Sequence, residues 1–73
     1  MACRRAAEYE LRGAQRRLER LEEEAHGMRW YVAMYEQGQA GLDVPEDLAR
    51  AQLTFYEEES ARAEERLRSL LQG

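Results

Sequence analysis

Lysine, isoleucine and asparagine are absent from this 73-residue chain, and cysteine, histidine, proline, tryptophan and phenylalanine occur once each. One cysteine excludes an intrachain disulfide framework, and Cys3 with the single His26 is too little for a Cys/His zinc site within one chain. Cys3 is therefore expected to be dispensable. No apolar run approaches the roughly 18 to 20 residues needed to span a bilayer. Residues Met1 to Arg5 lead into no apolar stretch of the secretory kind, so a cytoplasmic protein without membrane association is expected. With one proline and five glycines, little can interrupt a long helix.

Arginine supplies all eleven basic residues against fifteen acids, for a formal charge of −4. The balance is uneven. Residues 1–20 hold six Arg against three Glu, whereas the remainder holds five Arg against twelve acids. The first segment can in principle meet phosphate, while the molecule as a whole is repelled by a duplex.

The dominant pattern is Leu11, Ala14, Leu18, Leu21, Ala25, Met28, Val32 and Tyr35, in steps of three and four. Such a stripe is the seam of a helix packed against another helix. The spacing predicts one helix over 4–37, with the pairs Arg4/Glu8, Glu8/Arg12 and Arg20/Glu24 supporting its exposed side. Gly13 and Gly27 interrupt it opposite the seam, as tolerated surface glycines or as places where another helix comes close. Residues 38–43 form the loop, with Gly38 or Gly41 in the left-handed conformation beyond the helix end. Asp43, three before Glu46, reads as a capping box with Pro45 in the first turn, and a second helix is predicted over 44–71.

The second seam is Ala49, Leu53, Tyr56, Ser60, Ala63, Leu67 and Leu70. Folding back antiparallel sets Val32 against Leu53, Met28 against Tyr56, Ala25 against Ser60 and Leu18 against Leu67, with large residues mostly facing small ones. The expected fold is all-α: residues 1–73 form a single antiparallel two-helix hairpin, coiled-coil-like. Two helices of this length make a marginal domain alone. Trp30, Met34, Leu48 and Phe55 lie off the seam near the loop, and they are the expected partner-binding surface, closing a dimeric four-helix bundle or meeting another protein.

Three further patterns carry chemistry. Glu23 and His26 form a Glu-x-x-His spacing, with Glu22 and Glu24 beside them and Glu57, Glu58 and Glu59 level on the second helix. This resembles the two-helix protomers of encapsulated-ferritin-like proteins, whose metal site forms between subunits, although here the motif sits on the first helix and faces away from the seam. The simpler expectation is a solvated acidic face, relieved by Arg29 and Arg62, with no metal and no cofactor. Arg12, Arg16, Arg17 and Arg20 form a basic patch on a scaffold similar in architecture to Rop-like RNA-binding hairpins. Interleaved Glu10 and Glu19 and the lack of aromatic platforms there weigh against nucleic acid.

No catalytic residue is expected. The loop lacks the lysine and the preceding strand of a phosphate-binding loop, and Ser60, Ser69 and Thr54 have no histidine in reach. Chorismate-mutase-like bundles place Arg and Glu on the inner seam, which here carries neither apart from Arg4. The function expected from the sequence is a small regulatory or accessory interaction protein, a homo-oligomer or one part of a heteromer. A nucleic-acid-associated regulator and an intersubunit carboxylate metal protein are the alternatives.

Overall fold

The computed structural model describes the backbone of residues 2–72 and the side chains of residues 7–72. Two helices, α1 (Ala2–Glu36) and α2 (Glu46–Gln72), pack against each other as an antiparallel hairpin. The hairpin is a rod of 56 × 17 × 14 Å. Among the described residues no helix is long and apolar enough to cross a membrane.

The turn begins where the sequence provides for it. Gly38 takes φ +93°, its amide donates to the Tyr35 carbonyl at 3.0 Å, and the Gln39 amide donates to the Met34 carbonyl at 3.0 Å. Those two bonds satisfy carbonyls that the last helical turn would leave unpaired, and the left-handed residue they need is one that glycine adopts without strain. Gly41, at φ +73°, takes a second left-handed position, so both candidate glycines are used.

The second helix begins at Glu46 rather than Val44. The residue before a proline is biased toward extended backbone, and Val44 precedes Pro45. Two tyrosines of α1 also hold this segment. The Tyr31 hydroxyl donates to the Asp43 carboxylate at 2.7 Å, and the Tyr35 hydroxyl donates to the Val44 carbonyl at 2.6 Å. Asp43 thus serves as an acceptor for α1, and the Pro45 carbonyl takes the first helical amide, that of Ala49, at 2.9 Å.

Every buried residue lies on the two expected seams: Ala14, Leu21, Ala25 and Val32 on α1, Ala49 and Ala63 on α2. The remaining seam residues, including Leu11, Leu18, Met28, Leu53, Tyr56 and Leu67, are half-buried. Among the described residues four of the six buried ones are alanines, and no large side chain is fully enclosed. Two helices can cover only the line along which they touch, so larger seam side chains keep one flank open. Ala25, at 1% exposure, and the enclosed Ser60 hydroxyl mark the expected narrow waist.

Candidate functional site

A two-helix hairpin has two open flanks, one on each side of the seam, and the sequence equips them differently. One flank is a groove lined by Glu19, Glu22, Glu23 and His26 of α1 and by Glu57, Ser60 and Glu64 of α2. Arg29 reaches across it to Glu57 at 3.5 Å. The other flank opens between Glu10, Gly13 and Arg17 of α1 and Glu59, Arg62 and Arg66 of α2, with Ala14 and Ala63 at its base. Here Arg17 meets Glu59 at 3.3 Å, and Arg62 bonds the same carboxylate.

The six glutamates expected together near mid-hairpin are therefore divided. Glu22, Glu23 and Glu57 line one groove, Glu59 lines the other, and Glu24 and Glu58 line neither. Successive residues of a helix point about 100° apart, so a run of three cannot share one flank. Among the described residues no three of His, Cys, Asp and Glu gather closely enough to hold a metal ion. Arg29 and Arg62 relieve the acidic charge as expected, each through an exposed ion pair.

Helical geometry divides the basic patch in the same way. Arg17 turns toward α2 and is engaged by Glu59, while Arg12, Arg16 and Arg20 stay exposed and line neither groove. The pairs Glu8/Arg12 and Arg20/Glu24 do not close, and Arg4 and Cys3 lie outside the described side chains. The ion pairs that do form near the loop are Arg50 with Glu46 at 2.9 Å and with Glu36 at 3.7 Å. All are exposed enough that each is worth at most about 1 kcal/mol.

The loop end also exposes apolar side chains beside these ion pairs. Trp30 is 52% exposed, Phe55 55% and Leu48 47%, with Met34 half-buried nearby. Phe55 and Leu48 are seven residues apart on α2 and continue the row of Arg62; Met34 continues, in steps of seven, the row of Gly13 and Gly27 on α1. Leu48, Phe55 and Met34 and the Arg17/Glu59 groove are thus two ends of one flank, whereas Trp30 continues the row of Arg16 and Glu23 on the outer side of α1. Trp30 stands edge-on to Tyr31, with ring centres 5.1 Å apart, and Phe55 edge-on to Tyr56 at 5.4 Å. Tyr31 and Tyr56 are half-buried, so each outer aromatic ring rests on one anchored in the hairpin.

The Tyr31 phenol lies above its usual pKa, chiefly because it donates a hydrogen bond to Asp43, with desolvation and the Asp43 charge acting the same way. The tyrosine clasps were not foreseen from the sequence, where Tyr31 falls beside the seam and the loop path is not yet known. Tyr9 and Leu71 are also exposed, at the open end. The chain matches no family model, no curated protein and no solved structure.

Proposed function

We propose that this chain is a small interaction subunit that docks through Trp30, Met34, Leu48 and Phe55, closing a four-helix bundle against a second pair of helices. One observation carries the reading: the chain's only Trp and only Phe, with Leu48, stand about half exposed at one end of the rod, on a hairpin that encloses no large side chain of its own. Isolated exposed apolar residues are ordinary, whereas a cluster of aromatic and long aliphatic side chains on a rigid helical end is the composition of an interface centre. Pre-ordered aromatic rings also lose little freedom on binding, which favours affinity at a small site.

The Arg-rich face supports a nucleic-acid reading less well, because Arg17 is already engaged by Glu59 and the other three arginines are spread around the outer side of α1. Association through the apolar end should weaken little as salt rises, whereas phosphate contacts would fall away steeply.

The test is the double substitution Trp30→Glu with Phe55→Glu. It should leave a helical circular-dichroism spectrum, abolish assembly in sedimentation and make the melting temperature independent of concentration. A wild-type chain that sediments as a monomer, recovers no partner and has tryptophan emission freely quenched by iodide would defeat the proposal.

A further inference from the structure

We infer that the partner at this surface is a second copy of the same chain, laid antiparallel on the same flank, so that each loop-end cluster seats in the other's glycine- and alanine-floored groove. The inference rests on the proposed interaction reading and adds the occupant and its direction.

The first argument is area. Folded monomers of 8.6 kDa expose about 4,700 Å² by the general relation between mass and surface. This chain exposes 5962 Å². The excess, about 1,250 Å², is above the roughly 800 Å² that each partner contributes to a standard interface and falls in the range of obligate dimers. A rod only 14 Å through its thin direction can remove that excess by gaining a second layer of its own length.

The second argument is shape. The outer row of α1 on this flank runs Gly13, Arg20, Gly27 and Met34, and the outer row of α2 runs Leu48, Phe55, Arg62 and Ser69, each in steps of seven. The hairpin has no use of its own for these glycines. A Cβ built on Gly13 or Gly27 meets nothing within 4 Å, and each glycine weakens its helix by about 1 kcal/mol relative to alanine. Small residues that the fold does not need, on a face that carries large ones at its other end, form the two halves of a self-complementary surface. A two-fold axis across the middle of the rod exchanges the level of Met34 and Leu48 with that of Gly13 and Ala14. It also exchanges the level of Trp30 and Phe55 with that of Arg17 and Arg66.

The third argument is charge. In the antiparallel arrangement the Phe55 ring of one copy lies at the level of the Arg66 guanidinium of the other, an attractive arrangement for cation and ring. Arg66 makes no ion pair with any described residue. A parallel arrangement would instead set the Arg17, Arg62 and Arg66 end of one copy against the same end of the other, Arg17 on α1 facing Arg66 on α2. The isologous antiparallel dimer closes on itself and leaves the acidic flank outside.

The test uses the full chain with Cys3→Ser and a spin label at Asp47→Cys, an exposed site near the loop and off this flank. In the antiparallel dimer the labels sit about 40 Å apart along the rod, from the rise of 1.5 Å per residue. A parallel dimer would hold them within about 25 Å, the width of the bundle alone. Separately, Gly13→Leu should increase helicity yet weaken self-association at least tenfold, because the hairpin has room for the side chain and the partner's Met34 and Leu48 do not. A monomeric wild type overturns the inference. So does a short label distance, or a Gly13→Leu chain that dimerises as well as wild type, and either of these leaves the loop-end reading standing if Trp30→Glu with Phe55→Glu still abolishes assembly. Assembly that survives that double substitution overturns both.

Discussion

The two ends of the rod are built on opposite plans. At the loop end packing is reinforced by hydrogen bonds: Val32 is 8% exposed and Ala49 not at all, with Tyr35 and Leu53 half-buried beside them, and two tyrosine hydroxyls tie the loop to α1. Its exterior carries exposed Trp30, Leu48 and Phe55 beside the Arg50 ion pairs. At the open end the exterior is charged, and Leu11, Leu18, Leu67 and Leu70 are half-buried around the covered Ala14 and Ala63. A hairpin is closed covalently at one end only, so the loop holds the helices in register there and side chains alone must do so at the other. The difference also shows what a second layer would supply, since the end with spare apolar surface and the end with half-buried leucines lie on one molecule.

The largest test of this contrast compares two leucines one turn apart. Leu21, 8% exposed, is the last large buried seam residue before the open end, and Leu21→Ala should cost about 2 to 4 kcal/mol, close to the whole stability of so small a domain. Leu18 sits one turn further out and is half-buried. Its truncation should cost about 1 to 2 kcal/mol in the monomeric hairpin, less than full burial would imply. Thermal denaturation of both variants, in the Trp30→Glu with Phe55→Glu background, measures the difference. Equal losses would show that the open end is packed as well as the loop end.

The waist between the two ends gives a smaller effect of opposite sign. The Ser60 hydroxyl is enclosed and has no hydrogen-bond partner, an arrangement that ordinarily costs about 1 to 3 kcal/mol. Ser60→Ala removes the unsatisfied group, keeps the close approach to Ala25 and adds a better helix former. A stability gain of about 1 kcal/mol in chemical denaturation is expected. A loss would mean that the hydroxyl is paired and holds the waist together.

The seam was legible in the sequence because burial along a helix follows a period that apolar spacing reports directly, and every buried residue from Ala14 to Ala63 falls on it. Gly38 was legible for a related local reason: the end of a helix calls for a left-handed residue. What sequence reading grouped too readily were residues adjacent in number. Glu57 and Glu59 are two apart, yet they line opposite grooves, and Arg16 and Arg17 separate likewise into an exposed residue and an ion-paired one. The start of α2 falls two residues later than expected, because Val44 precedes Pro45 and is biased toward extended backbone. The exposure of Trp30 and Phe55 followed from their position opposite or beside the seam, whereas the Gly13 groove on the flank of Phe55 became visible only when the second helix supplied its other wall.

The smallest effect isolates the loop clasp. The Tyr31 phenol must keep its proton to donate to Asp43, and that bond, with the nearby carboxylate charge, raises its pKa in the folded chain above the unfolded value of about 10. A group whose pKa is raised by folding contributes stability that is fully present below the unfolded value and is lost as pH climbs through the folded one. The wild-type chain should therefore exceed Tyr31→Phe in melting temperature by a constant margin up to about pH 10, and the margin should shrink above it. Measuring both chains at each pH removes whatever the rest of the molecule contributes equally to both. Because Phe keeps the ring that supports Trp30, assembly of the variant at neutral pH should match wild type. A margin independent of pH would mean that Tyr31 contributes through its ring alone, and the register at the loop would then rest on the Tyr35 hydroxyl and the Val44 carbonyl.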